Sequence, residues 1–185
     1  MIMSKEALLY PHFQLVSDLT KLASRIKLYN PDLLIAPVRG GLVIATYLSH
    51  LLDDTLVAAL PKRYGTGWYQ QFEDVDINRI LIIDDIVDTG YEMERAIQAV
   101  NPLITGGATD GYPRNPRIEV KTAALFLRST SGFRPDYVPD SKNVLQTDIW
   151  VTFPWENSKA WTGASRQDSV IPGGDFKYLS KSDLT

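Results

Sequence analysis

The sequence predicts an α/β chain built on a doubly wound, mostly parallel sheet flanked by helices. Three observations carry that prediction. Short apolar runs with β-favouring residues alternate with stretches of helical periodicity, the pattern of strands joined by crossover helices. Two loops of unusual composition, residues 37–41 and 84–90, leave the carboxyl ends of two such runs. A chain of 185 residues that is 44% hydrophobic can bury the continuous apolar strands such a sheet requires.

In chain order, Leu15, Leu19, Leu22 and Ile26 recur at helical spacing and mark an amphipathic helix, which Asn30-Pro31-Asp32 terminates. Leu33 to Ala36 reads as a short buried strand. Pro37-Val38-Arg39-Gly40-Gly41 is a tight loop, and residues 42–52 resume a helical pattern. Thr55 to Leu60 is the next strand. Residues 61–77, with two glycines, several charges and a Tyr-Gln-Gln run, read as a mobile excursion. Ile80 to Ile83 is a strand that runs into Asp84-Asp85, and Asp88-Thr89-Gly90 is a turn before a helix from about Tyr91 to Val100. Residues 101–117, rich in Gly and Pro, read as an inserted loop, and Val120 to Leu127 as another buried strand. The expected organisation is one domain over residues 1–160 and a C-terminal tail over 161–185, where periodicity is lost.

Composition excludes several classes. The formal charge of −3 lacks the basic footprint of a nucleic-acid partner. Without cysteine there are no disulfides and no thiolate metal sites. The start, Met1 to Glu6, has no long apolar core after a basic region, as a secretory signal would. No apolar run reaches the roughly 18–20 residues of a membrane span. The expectation is a soluble, cytoplasmic protein. His12 and His50 match no ligand or triad spacing and read as structural.

Sheets of this class bind ligands beyond the carboxyl ends of their strands, where connections diverge. The loops at 37–41 and 84–90 should therefore share one crevice. Two adjacent carboxylates there, Asp84 and Asp85, can accept hydrogen bonds from a sugar diol or hold Mg²⁺ with water. A solvated strand terminus and a receiver-type phosphoacceptor pocket are rival readings of the bare pair. The following Asp88-Thr89-Gly90 adds a turn, a hydroxyl and the free N–H groups of a helix start, the parts of a phosphate cradle. Arg39, held by Gly40-Gly41, suits a diphosphate because its planar fork binds phosphate oxygens bidentately. Lys62 and Arg63 on the excursion stand where they would close over the same charge. Trp150 is suited to stacking on a flat heterocycle and Arg128 to donating to a ring carbonyl, although aromatics here also serve simply to seal a core edge.

Residues 80–90, Ile-Leu-Ile-Ile-Asp-Asp-Ile-Val-Asp-Thr-Gly, resemble the phosphoribosyl-pyrophosphate (PRPP) signature of type I phosphoribosyltransferases. Val38-Arg39-Gly40-Gly41 is similar to that family's pyrophosphate loop. Lys21 to Ile26, with Ile149-Trp150 and Pro154-Trp155-Glu156, resemble the bacterial xanthine-guanine branch. The resemblance spans about residues 15–156. It implies a type I phosphoribosyltransferase fold with a small hood over the base, and a Mg²⁺-dependent glycosyltransferase of purine salvage. Such an enzyme moves 5-phosphoribosyl from PRPP to guanine, xanthine or hypoxanthine and releases pyrophosphate. The alternatives are a PRPP-binding regulatory protein that kept the fold without turnover, and transfer to a non-purine acceptor.

Residue by residue, the resemblance implies that Asp84 and Asp85 hold the ribose hydroxyls, with Asp85 also at the metal. Asp88 would handle the proton at purine N7 and, with Arg39, make up the catalytic pair. The backbone of Asp88, Thr89, Gly90, Tyr91 and Glu92, with the Thr89 hydroxyl, would hold the 5′-phosphate. Val38, Arg39 and Gly40 would face pyrophosphate, with a cis peptide between Val38 and Arg39. Arg128, Trp150 and Val151 would read the base, and Tyr64 would join Lys62 and Arg63 in the loop that shields the reaction. A homodimer or homotetramer is implied. Three departures stand out: Glu92 replaces a Thr or Ser, Arg128 replaces a Lys, and Thr152 with the 101–117 insertion departs from the family pattern at the specificity pocket and oligomer surface.

Overall fold

A computed structural model of the chain describes residues 7–61, 75–105, 117–146 and 149–156. Seven strands and three helices follow one another: β1 (Ala7–Leu9), α1 (His12–Ile26), β2 (Leu33–Pro37), α2 (Gly40–Leu51), β3 (Leu56–Leu60), β4 (Arg79–Val87), α3 (Tyr91–Thr105), β5 (Glu119–Arg128), β6 (Val144–Leu145) and β7 (Trp150–Thr152). Five strands form one parallel sheet in the order β3-β2-β4-β5-β6. The doubly wound expectation is met.

Burial on both faces explains the continuous apolar strands. Successive side chains of a strand point to opposite faces. Leu34, Ala36, Leu81, Ile83, Ala123 and Leu125 accordingly pack under α1 and α2, while Leu33, Ile35, Ile80, Ile82 and Ala124 pack under α3. The predicted stripe of α1, Leu15, Leu19, Leu22 and Ile26, is wholly buried. The His12 ring sits 2.8 Å from the Tyr47 hydroxyl of α2, and His50 lies 3.2 Å from Asp54 on the surface.

Three expectations are corrected. The strand read as Ile80 to Ile83 runs on to Val87, so Asp84 and Asp85 lie within β4 rather than beyond it. Pairing with β5 through Asp84↔Ala124 and Ile86↔Phe126 holds that stretch extended despite the poor strand propensity of Asp. Helix α3 continues past Val100 to Thr105, so the first residues of the 101–117 segment are helical. Its apolar stripe explains this, since Leu103 and Ile104 follow Met93, Ala96 and Val100 onto the same core. Finally, β1, β6 and β7 were not foreseen. β1 and β7 form a separate two-stranded parallel pair, with Ala7 opposite Trp150 and Leu9 opposite Thr152. This pair, termed the hood, is separate from the five-stranded sheet. It is tied down by Tyr10, whose ring packs edge-on against Phe126 at 4.9 Å.

The direction of winding reverses between β2 and β4. From β2 the chain crosses through α2 to β3 on one side, then returns to place β4 on the other. β2 keeps its register with β3 as far as Pro37↔Leu60 but leaves β4 after Ile35↔Ile82. The sheet therefore opens just before Asp84. Such a switch point is where open α/β sheets bind ligands.

Candidate functional site

The opening between β2 and β4 is a cavity of about 680 Å³. Its walls include Val38, Arg39 and Gly40 from the β2–α2 turn, Asp84 and Asp85 from β4, and Glu92 from the first turn of α3. The two loops singled out in the sequence do share one crevice. The Val38–Arg39 peptide is cis. Gly40 and Gly41 are required by proximity: a Cβ on Gly40 would run into the Asp85 carboxylate, and one on Gly41 would lie 2.7 Å from the Ile83 carbonyl oxygen. Helix α2 can thus start directly against the acidic pair only because these positions carry no side chain.

Each acidic side chain accepts a backbone N–H, Asp85 N donating to Asp84 Oδ1 at 2.9 Å and Ile86 N to Asp85 Oδ1 at 2.8 Å. Those bonds do not offset the burial. Desolvation first, then the Asp85 charge beside it, holds the Asp84 carboxyl well above the ordinary carboxylate range, and Glu92 adds to the effect. Asp85 is also raised, again by burial first, with Glu156 contributing. Among the described residues, four carboxyl side chains and one guanidinium line this cavity. A donor set of this kind suits a hard divalent cation, which Mg²⁺ sites satisfy with one or two carboxylates plus substrate phosphate and water. Among the described residues no group of three or more His, Cys, Asp or Glu is placed to hold a metal ion by itself.

Beyond β4 the chain turns at Gly90, whose φ of +99° belongs to the left-handed region that glycine tolerates. A Cβ there would also collide with Phe133. The Thr89 hydroxyl accepts the Tyr91 N–H at 3.3 Å, and the Tyr91 ring is largely exposed. At the same loop, Asp88 Oδ1 lies 2.6 Å from Nε of the buried Arg128. Arg128 also donates from Nη2 to the Ile149 carbonyl at 2.9 Å, immediately before β7. One guanidinium therefore joins the end of the β4 loop to the hood. Trp150, next in sequence, is 56% exposed, and Val151 is buried.

The structure thus gathers the sequence-predicted residues into two groups. Val38, Arg39, Gly40, Asp84, Asp85 and Glu92 share the cavity. Asp88 and Arg128 form a pair that reaches toward Trp150 and Val151 through Ile149. Lys62, Arg63 and Tyr64 lie outside the described residues. Three site residues had no assigned role in the sequence. Trp155 and Glu156 line the cavity, with the Trp155 ring stacked on Phe153 at 4.6 Å and 6° and Glu156 Oε2 accepting the Phe153 N–H. Phe133 supports the Gly90 turn. The Pro154-Trp155-Glu156 motif was the available signal for the first two; nothing local marked Phe133.

Among the described residues no helix is long and apolar enough to cross a membrane. The chain is similar to a solved purine phosphoribosyltransferase from Pyrococcus horikoshii Ot3, at 28% identity over 81% of this chain and 94% of that one, with a TM-score of 0.60. It shares its fold with the xanthine-guanine-hypoxanthine phosphoribosyltransferase of Helicobacter pylori, at 17% identity and a TM-score of 0.64 over 86% of this chain and all of that one. Among curated proteins it is 27% identical to an orotate phosphoribosyltransferase of Sulfurisphaera tokodaii over 92 residues, 49% of this chain and 47% of that protein. It is also 27% identical to an HGPRTase-like protein 1 of Haloquadratum walsbyi over 97 residues, 45% of this chain and 52% of that protein. The chain spans about half the length of the curated relatives it matches. The family model for the phosphoribosyl transferase domain matches residues 8–158, and with the switch-point cavity this places the chain in the phosphoribosyl transferase domain family.

Proposed function

We propose that the protein is a Mg²⁺-dependent purine phosphoribosyltransferase that transfers 5-phosphoribosyl from PRPP to a 6-oxopurine. The observation that carries this reading is the Asp84–Asp85 pair facing Arg39 across the β2–β4 opening. The named activity of the Pyrococcus relative adds support for a purine over a pyrimidine.

The transfer breaks the bond from ribose C1 to pyrophosphate oxygen and forms one from C1 to a ring nitrogen of the base, which loses a proton. Asp84 and Asp85 would accept hydrogen bonds from the ribose hydroxyls. Arg39 would take pyrophosphate oxygens and steady the charge of the leaving group. Asp88 would receive the proton at N7 while Arg128 holds it in place and faces the 6-oxo group. Trp150 would stack on the base, with the Val151 backbone at its edge. Mg²⁺, held at Asp85 and its neighbour Asp84, would supply charge neutralisation at the pyrophosphate. The acidic lining among the described residues supports a role for such a cation, which would ease the entry of a polyanion. Lys62, Arg63 and Tyr64 are proposed to shield the reaction from water, and a homodimer or homotetramer in the cytoplasm is the proposed setting.

The test is nucleotide formation from PRPP and Mg²⁺ with guanine, xanthine, hypoxanthine, adenine and orotate in parallel. Turnover with a 6-oxopurine is expected. Asp88→Asn should retain PRPP binding and lose about 10²-fold or more in kcat. PRPP binding without turnover on any base would instead point to a PRPP-responsive regulatory protein.

A further inference from the structure

Glu92 places a carboxylate on the wall of the cavity, in the first turn of α3. On the reading above, that turn receives the 5′-phosphate, so the side chain stands where a second anion must come. Left unbalanced it would oppose the phosphate at close range in a partly desolvated site. It is balanced by a residue one turn on. Arg95 brings both Nη2, at 2.8 Å, and Nε, at 3.0 Å, to the same oxygen, Oε2 of Glu92. The Arg95 side chain is only 16% exposed, whereas Glu92 is 45% exposed. The cation is therefore fixed in the protein, and the carboxylate is the member that reaches the cavity.

We infer that Glu92 and Arg95 act as one charge-balanced unit, in which Arg95 is a positioning residue that neutralises Glu92 and so admits the 5′-phosphate of PRPP at the start of α3. This inference rests on the phosphoribosyltransferase reading and assigns the pair a role in substrate affinity. An exposed i,i+3 pair would count for little. This one differs because its cation is largely shielded from solvent and its anion belongs to a residue that lines the cavity. Since Arg95 acts through Glu92, its loss should be repaired by removing the charge it balances.

The experiment is calorimetric titration of the full chain, in Mg²⁺, with PRPP, ribose 5-phosphate and inorganic pyrophosphate separately. Arg95→Met should weaken PRPP and ribose 5-phosphate roughly tenfold or more, the scale of one lost charge-assisted contact, and leave pyrophosphate unchanged. Glu92→Gln in the same chain should restore affinity to within about threefold of the unsubstituted protein. Glu92→Gln alone, which keeps Arg95 in place and so tests the idea even if Arg95→Met does not fold, should bind ribose 5-phosphate as tightly as the unsubstituted protein or tighter. Failure of Glu92→Gln to rescue Arg95→Met would overturn the balancing role. Equal weakening of pyrophosphate by Arg95→Met would mark Arg95 as merely structural. A chain that binds none of the three compounds before substitution overturns the phosphoribosyltransferase reading itself, and the inference with it. Normal binding by that chain together with unaltered binding by Arg95→Met overturns the inference alone.

Discussion

Asp18 and Asp84 are both buried aspartates, and they are treated in opposite ways. Asp18, 1% exposed in α1, accepts from the Tyr10 hydroxyl at 2.7 Å, Gln14 Nε2 at 2.9 Å and Asn143 Nδ2 at 3.2 Å, and Lys142 Nζ approaches to 3.2 Å. Burial pushes its carboxyl upward, but those hydrogen bonds outweigh burial and hold it below the ordinary carboxylate value. Asp84 has a backbone N–H and another carboxylate for neighbours, and is held well above that value. The first joins the hood, α1 and the turn before β6. The second is left short of positive charge, as expected of a group that completes its shell with a ligand.

Substitution at the two positions should therefore act with opposite sign. The largest effect belongs to Asp18→Ala. Stranding the buried donors of Tyr10 and Asn143 should cost about 2–4 kcal/mol in urea unfolding. A loss near zero would show that the network is ornamental. Next, Asp84→Asn should abolish nucleotide synthesis yet stabilise the ligand-free protein at pH 7 by about 1–2 kcal/mol, because a buried group whose charged form is opposed by desolvation and by Asp85 is removed. If that variant proved less stable than its parent, Asp84 would belong with Asp18 and the contrast would collapse.

The pH dependence sharpens the comparison. The folded-state value of Asp18 is lowered, so its contribution is present above the unfolded value of about 3.9 and is lost as pH falls through the folded value. Asp84 is raised, so its penalty is complete above the folded value and fades as pH falls toward about 3.9. Stability differences measured against Asp18→Asn and Asp84→Asn should both shrink in acid, with the Asp84 difference disappearing first on acidification. The smallest expected effect is that of the cation. Millimolar Mg²⁺ without substrate should raise Tm by about 1–3 °C at pH 8 and by less at pH 5, where protons compete. Asp85→Asn should remove that increment.

What could be read from the sequence was what the chain encodes locally. Ile80 to Gly90 is a strand, turn and helix start within one short stretch, and Arg39-Gly40-Gly41 is another. The topology rule then brought the two to one crevice. What could not be read depends on distant partners. Asn143 reaches Asp18 across 125 positions, and neither residue looks unusual in its own neighbourhood. Phe133 packs so closely on Gly90 that no side chain fits at position 90, and nothing in its local sequence marks that contact. The acidic pair suggested a strand end because Asp disfavours strands, and the pairing of β4 with β5 overrode that preference. Strands of two or three residues, such as β1, β6 and β7, are too short to show a period. Glu92 and Arg95 do stand at helical i,i+3 spacing, but only the cavity wall shows why the pairing matters.

The pairing of Ala7 with Trp150 has a consequence for assembly. Closing a loop of that length is entropically costly and slow, whereas the β2–α2–β3 unit joins near neighbours in sequence. Folding should therefore complete the central sheet first and dock the hood last. The segment that would choose the base is thus also the last to assemble. Exchanging β1 and β7 together for those of a relative is the graft most able to change acceptor choice while leaving the underlying sheet intact.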